Sequence, residues 1–182
     1  MQPQLQAALD STGLESHHIS RHFLHRTGRC KHWRRWTKVA LACHTRSHLI
    51  LGAEVSVGPN NDCPHFAPLV KQASALIAIA ELLADGAFDS EPNHRLARAL
   101  GIRRTLIPVN LRGSEQAPMG RYRRALHQRF PRRRYAQRAQ VESVISRHKR
   151  RLGAVLRHRS PATRTQECLL RIVTHDLMIL RR

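Results

Sequence analysis

The sequence predicts an α/β or mixed α+β domain in which helices pack on a central sheet. Short apolar runs rich in β-forming residues recur over the first 109 positions, and segments with helical periodicity and capping residues lie between and after them. The 182 residues suffice for one domain with its own core, so we expect a single domain over residues 1–182.

Three strands are expected near the start of the chain. Residues 5–10 (LQAALD) form a short apolar run that the following Ser-Thr-Gly interrupts, which puts Asp10 at the end of a strand. Residues 38–45 and 49–57 are two further runs rich in β-forming residues, with a short polar turn between them. This pattern is typical of a β-hairpin.

The middle of the chain is expected to alternate helices and strands. A helix starts at Asn61 or Asp62 and continues to about residue 75. Residues 77–84 form a buried strand or the end of that helix, and their length favours a strand. Asp85 follows directly and would lie at the end of this strand.

A second helix, capped by Asp89 or Ser90, is expected to end near residue 100, and residues 105–109 form another short strand. Residues 110–134 combine many cations with no sustained apolar periodicity. They are therefore interpreted as an exposed basic connection with a short helix near residues 122–128.

Two helices are expected at the C-terminal end, from Tyr135 to about Leu156 and over residues 165–180. Four residues of the first helix define what we call the four-residue stripe: Tyr135, Arg138, Glu142 and Lys149. Their spacings of three, four and seven direct them within roughly a 60° arc of an α-helix. One face of this helix therefore bears all four side chains.

Positive charge is concentrated in the second half of the chain. Residues 1–94 contain nine cations and eight acids, whereas residues 95–182 contain twenty-three cations and four acids. Of the 32 cationic residues, 28 are Arg, whose planar guanidinium suits bidentate phosphate contacts, although a coding bias toward Arg gives the same count. The second half is expected to bind a polyanion.

The remaining composition favours a soluble cytoplasmic protein with no membrane partner. No segment approaches the roughly 18 consecutive apolar residues of a transmembrane helix, and no signal-peptide pattern opens the chain. The four cysteines contain no CxxC pair, which indicates reduced thiols rather than a disulfide framework.

Three acids are candidates for phosphodiester chemistry: Asp10, Asp85 and Glu142. Glu142 is the only acid between Arg121 and Arg159, among thirteen Arg and one Lys. Carboxylates from separate elements can bind two divalent metal ions, and oxygen-only ligands select Mg²⁺ or Mn²⁺. The alternative interpretation makes Asp10 and Asp85 turn residues and Glu142 a member of a surface ion pair with Arg138.

Together these segments resemble the DDE transposases of bacterial insertion sequences. The relevant group has a Y-x2-R-x3-E-x6-K pattern and includes insertion-sequence families four and five, and the four-residue stripe matches this pattern at every spacing. The similarity extends to LDSTG around Asp10, ADGAFDS around Asp85, both runs of the predicted hairpin and the late QECLLRIVTHDL. It thus covers nearly the whole chain.

The resemblance implies an RNase-H-like fold, with a mixed sheet flanked by helices, a long C-terminal catalytic helix and a final packing helix. It also implies Mg²⁺-dependent (or Mn²⁺-dependent) DNA cleavage and strand transfer. Asp10, Asp85 and Glu142 would be the catalytic residues and the ligands of two ions.

The same resemblance implies that Tyr135, Arg138 and Lys149 contact DNA phosphates near the transposon end. The adjoining cations Arg132, Arg133 and Arg134 are expected to extend this phosphate-binding face. The partner is double-stranded DNA, both transposon ends and target, and a homodimer is expected by analogy because two ends must be paired.

Only nine residues precede Asp10, so the N-terminal DNA-binding region of relatives is expected to be absent. A separate polypeptide from an upstream frame would then supply it, in a nucleoid-associated complex of the bacterial cytoplasm. The alternative is a catalytically inactive, truncated remnant that acts only as a basic DNA-binding protein. An RNA-binding structural protein would explain the charge but not the spaced acids.

Overall fold

The computed structural model describes residues 5–15, 36–111, 113, 115–158 and 160–181. The strands of these ranges are β1 Gln6–Glu15, β2 Trp36–His44, β3 Ile50–Gly58, β4 Glu81–Ala84 and β5 Arg104–Leu106. The α-helices are α1 Phe66–Leu76, α2 Glu91–Ala99, α3 Arg121–Gln128, α4 Arg132–Tyr135, α5 Ala139–Leu152 and α6 Pro161–Leu180. None of the helices in the described ranges has the length and apolarity needed to cross a membrane.

The five strands form one mixed sheet in the order β3-β2-β1-β4-β5. Strands β1, β2 and β3 pair antiparallel, whereas β4 is parallel to β1 and β5 is parallel to β4. This strand order and direction are those of the RNase-H-like fold, so the predicted fold class is confirmed. The predicted hairpin is also confirmed as β2 and β3.

Strand β1 is longer than predicted, and Asp10 lies in its middle instead of at its end. The strand pairs with β2 continuously from Ala7 to Glu15. At Gly13 an added Cβ would lie 2.4 Å from the ring of Trp36 on the paired strand, so the missing side chain makes room for the indole. The glycine of the Ser-Thr-Gly sequence therefore makes room for Trp36 and does not break the strand. The predicted end of the strand at Asp10 is wrong.

Alternate side chains of the sheet pack into two separate hydrophobic clusters, one on each face of the sheet. Ala7 and Leu9 pack with helix α1, whose side chains Phe66 and Leu69 are fully buried. Ala8 faces the opposite side, in a second cluster that includes buried residues of α5 and α6. Since side chains alternate along a strand, Asp10 projects to the same face as Ala8, the face covered by α5.

Helix α5 differs from its prediction at both ends. It starts at Ala139 instead of Tyr135, and a 3₁₀ turn over Ala136–Arg138 links it to the short helix α4. It ends at Leu152, because Gly153 adopts φ 92° while its N–H bonds to the Lys149 carbonyl. The continuous helix predicted to residue 156 is therefore wrong, although the chain turns in the helical sense throughout residues 132–152.

Helix α1 starts at Phe66, after a 3₁₀ turn over Cys63–His65, so the start predicted at Asn61 or Asp62 is wrong. The remaining helices follow their local signals closely. Helix α2 is capped by Ser90, whose side chain accepts a hydrogen bond from the Asn93 N–H, and its first turn contains a proline. The short helix expected near residues 122–128 is present as α3. The final helix starts four residues earlier than predicted, at Pro161, after the capping residue Ser160.

Candidate active site

Two of the predicted acids lie side by side on neighbouring parallel strands. Leu9 of β1 is in register with Ala84 of β4, and Asp10 and Asp85 are the next residues of each chain segment. Neighbouring strands are about 4.8 Å apart, so the register brings the two carboxylates to one edge of the site. Backbone N–H groups orient both: Ser11 donates to Asp10 at 2.9 Å and Ala87 donates to Asp85 at 3.1 Å.

Arg138 connects these two acids to Glu142. Its Nη2 atom lies 3.1 Å from Oδ2 of Asp10 and 3.1 Å from Oδ2 of Asp85, while its Nη1 atom bonds to Glu142. Two oxygens that each lie 3.1 Å from one nitrogen are at most about 6 Å apart. The structure therefore brings all three predicted acids together around a single guanidinium.

The pKa values of Asp10 and Arg138 reflect their burial and the charges around them. The pKa of Asp10 is raised, chiefly by burial and further by the negative charges of Asp85 and Glu142, against the opposing effect of Arg138. Burial by itself lowers the pKa of Arg138, but the neighbouring acids and Tyr135 outweigh it and raise that pKa. Three like charges in one place thus require a cation among them, which Arg138 supplies.

Tyr135 borders the acid cluster, whereas Lys149 lies farther along α5. The Tyr135 ring packs edge-on against Phe130, with ring centroids 5.0 Å apart. Burial raises the pKa of Tyr135, and the charges of Asp85 and Asp10 raise it further. Lys149 is half-buried, seven residues after Glu142, a distance of roughly 10 Å along a helix axis.

The three consecutive arginines of helix α4 are exposed, but they are not equivalent. Arg134 lies 3.6 Å from the buried carboxylate of Glu81, which also pairs with Arg104 at 3.2 Å. Arg132 and Arg133 extend their side chains into solvent on the same short helix. A phosphate backbone would meet Arg132 and Arg133 first, while Arg134 already neutralises an internal acid.

The donor chemistry of the three acids fits Mg²⁺ or Mn²⁺, because all ligands are carboxylate oxygens. Asp85 and Glu142 are 50% and 56% exposed, so a cation and a phosphate can reach them from solvent. In the described part of the chain, no three His, Cys, Asp or Glu side chains are arranged to hold a metal ion as they stand. The oxygens of the three acids face Arg138 instead.

A buried ion-pair network lies beside the site and was not predicted from the sequence. Asp89, considered there only as a helix cap, is fully buried and accepts two-point hydrogen bonds from Arg123, with Nη2 at 2.8 Å. Burial would raise the pKa of Asp89, but His94, whose Nε2 lies 3.7 Å from Oδ1, and the hydrogen bonds from Arg123 and the Asn110 N–H lower it. Arg123 belongs to the segment predicted as an exposed basic connection, and no local pattern distinguishes it from its exposed neighbours.

The network fixes the segment that follows Asp85. Glu91 of helix α2 accepts hydrogen bonds from the N–H groups of Tyr122 and Arg123, at the start of α3. Helix α3 is thereby tied to the turn that connects Asp85 to α2. Asp89 and Arg123 thus act on the site through the position of the backbone and make no contact with the three acids.

Comparison with known proteins identifies a family that matches nearly the whole chain. The family described as Transposase DDE domain matches residues 2–177. No curated protein matches the sequence. Among solved structures, the catalytic core domain of BIV integrase in crystal form I superposes with a TM-score of 0.44 and 19% identity, over 83% of this chain and 70% of that one.

Proposed function

The chain belongs to the Transposase DDE domain family, and we propose that it is the catalytic domain of a bacterial insertion-sequence transposase. In this proposal it cleaves DNA strands at the ends of the element and joins the freed 3′-hydroxyl to target DNA. The supporting observation is the gathering of Asp10, Asp85 and Glu142 around one guanidinium. Residues 10, 85 and 142 come from three elements, and a surface ion pair would not require their meeting.

The three acids are proposed as the ligands of two Mg²⁺ or Mn²⁺ ions. Bound there, the ions would supply activation of a water or a 3′-hydroxyl and stabilisation of the leaving oxygen. Asp10 lies on β1, Asp85 directly follows the paired strand β4 and Glu142 lies on helix α5, so regular elements hold the backbone of all three in place. Such preorganisation lowers the entropic cost of aligning the reacting groups.

The cations and Tyr135 are proposed to hold the DNA backbone. The Tyr135 hydroxyl would donate a hydrogen bond to a phosphate oxygen, since a tyrosine is protonated at neutral pH. Arg138 offers two parallel N–H donors, the geometry that phosphate prefers. Arg132, Arg133 and Lys149 extend the contact along the strand, with Arg134 available once it leaves Glu81.

The critical experiment compares Glu142→Gln with the wild-type chain on duplexes that end in the inverted repeats flanking the reading frame. In Mn²⁺ or Mg²⁺ we expect wild-type protein to nick these ends and Glu142→Gln to lose cleavage by at least about 100-fold while still binding DNA. The matched control is Glu115→Gln, because Glu115 is exposed in the loop before α3 and its substitution changes the net charge equally.

Two outcomes decide between the proposal and its alternative. DNA binding without any metal-dependent nicking by the wild-type chain would favour the truncated remnant that only binds DNA. Nicking that persists in Glu142→Gln would contradict the assigned role of the three acids.

We propose further that the protein forms a homodimer through helix α6. Four side chains on one face of this helix, each between 55% and 68% exposed, are Leu170, Val173, Leu177 and Leu180. Their spacing of three, four and three residues is that of a coiled-coil seam, which a second copy of the same helix complements.

The exposed area of this seam bounds the strength of the dimer. The seam presents roughly 400–500 Å² of apolar surface, within the range of the largest patches on monomeric proteins. Two such faces would together bury about 1,000 Å², near the lower limit of specific interfaces. The proposed dimer is therefore weak, and repulsion between chains of net charge +20 weakens it further at low salt.

A further inference from the structure

We propose that Arg138 couples DNA binding to metal binding, because its guanidinium occupies the carboxylate oxygens that a divalent ion needs until a DNA phosphate takes it over. This inference rests on the proposed function. It assigns to Arg138 a role beyond holding phosphate: it is the internal counter-ion of the three acids and a competitor of the metal.

The contacts of Arg138 supply the first step. Its side chain is 13% exposed and lies at the floor of the site, with both terminal nitrogens bonded to acids. One nitrogen is shared equally by Asp10 and Asp85, at 3.1 Å from each. A guanidinium at this distance from both oxygens occupies the space that a divalent ion held by Asp10 and Asp85 would need.

Arg138 and a divalent ion compete to compensate the same negative charges. Asp10, Asp85 and Glu142 all lie against the same guanidinium, so their negative charges are close enough to repel one another. Any positive charge that enters the cluster relieves this repulsion. While Arg138 is present, an entering ion gains less, because part of the repulsion is already compensated. Removing the guanidinium should therefore increase the affinity for the ion.

The guanidinium of Arg138 lies where a DNA phosphate that approaches from solvent can bind it. The residue belongs to the 3₁₀ turn between α4 and α5, and its Nε atom is buried without a hydrogen-bond partner. Asp85 and Glu142 are half exposed above it, so a phosphate that approaches from solvent comes within reach of the guanidinium. Phosphate offers the same two-point geometry as a carboxylate.

Thermodynamic linkage then fixes the consequence. If DNA draws Arg138 away from the acids, it increases metal affinity, and the metal must increase DNA affinity by the same factor. The enzyme would thereby load its ions on DNA and hold few of them when free.

The test measures Mn²⁺ binding to the full chain by electron paramagnetic resonance, with and without a 20-base-pair duplex whose own Mn²⁺ binding is subtracted. Without DNA, Arg138→Ala is expected to bind Mn²⁺ at least about fivefold more tightly than wild type, the low end of typical coupling. With DNA, wild type should gain affinity for Mn²⁺ by a similar factor, and Arg138→Ala should gain none.

Two further variants separate coupling from other effects. Arg133→Ala removes an exposed cation of α4, so it should weaken DNA binding but keep the wild-type coupling factor. Arg138→Lys retains the positive charge without the bidentate fork, so intermediate Mn²⁺ affinity is expected, and this variant serves if Arg138→Ala does not fold.

Equal or weaker Mn²⁺ binding by both Arg138 variants would overturn the coupling, and Glu142-dependent cleavage would still stand. Absence of Mn²⁺ binding in wild type and in the Arg138 variants would overturn the coupling and the proposed function together. Coupling that vanishes in Arg133→Ala as well would also contradict a specific role for Arg138.

Discussion

His148 is expected to make the protein less stable as the pH falls below 6.5. The ring is 4% exposed on α5 and faces His175 of α6, with ring centroids 6.4 Å apart. Its pKa is lowered from 6.5 to about 4, first by burial and then by the positive charges of His175, Arg171 and Lys149. The folded protein therefore disfavours a proton that the unfolded chain accepts.

The sign and size of the effect follow from linkage. Above pH 6.5 both states are neutral at this position, and His148 leaves the free energy of unfolding unchanged. Below pH 6.5 the unfolded chain gains protons first, so stability falls until the pH reaches about 4. The full loss is about 3 kcal/mol, and about 2 kcal/mol of it is lost by pH 5.

Urea unfolding at pH 7.5 and pH 5.0, followed by circular dichroism in 0.3 M salt, measures this loss. The control is His148→Gln, which cannot titrate. Its absolute stability differs from wild type, but its change between the two pH values should be smaller by about 2 kcal/mol. Asp89 and Glu167, whose pKa values are lowered, affect stability mainly at lower pH. Equal pH dependence in the two proteins would refute the assignment to His148.

Two other parts of the molecule give measurable expectations. Arg123→Met should lower the free energy of unfolding by about 3–5 kcal/mol in urea titrations, because it removes the guanidinium that pairs with the buried Asp89 carboxylate, and Asp89→Asn in the same chain should restore much of the loss. A small effect of Arg123→Met would mean that Asp89 finds another partner or a proton. For the α6 face, Leu170→Asp with Leu177→Asp should abolish a dimer that strengthens with salt in sedimentation equilibrium, whereas Leu76→Asp on α1, equally exposed, should preserve it. A wild-type chain that stays monomeric at high concentration and salt would contradict the dimer.

Elements with strong local signals were predictable from the sequence. The hairpin of β2 and β3 follows from two dense runs of β-forming residues, and the start of α2 follows from Ser90 with a proline in the first turn. In these places the residues that specify the structure lie within a few positions of one another. Tertiary packing adds to the local preference and does not oppose it.

The errors occur where distant residues decide the structure. Strand β1 continues past Asp10 because β2 pairs with it to Glu15, a partner that residues 11–13 do not reveal. The interruption of the helix at Arg138 likewise has no proline or glycine to announce it. Asp89 and Arg123 are 34 positions apart, and only the folded chain shows that one neutralises the other.

The spacing of the four-residue stripe was interpreted as one face of a continuous α-helix, and the structure shows a different arrangement. Tyr135 and Arg138 do not lie on the same regular helix as Glu142, yet Arg138 and Glu142 still bond across one helical turn. The ion pair between Arg138 and Glu142, which the alternative interpretation expected, is therefore present. A surface pair, however, would leave Arg138 exposed and partnered by one acid, whereas its side chain is 13% exposed and also contacts Asp10 and Asp85.

Those two extra contacts distinguish the cluster from an exposed ion pair, and they depend on parts of the chain that no single motif contains. The parallel register of β1 with β4 puts Asp10 beside Asp85, and the packing of α5 on that face of the sheet brings Arg138 over both. The packing of α5 is imposed by burial of apolar residues such as Val141 and Val144. The apolar core therefore determines where the charges meet, and a substitution that shifts α5 should impair the acid cluster before it unfolds the domain.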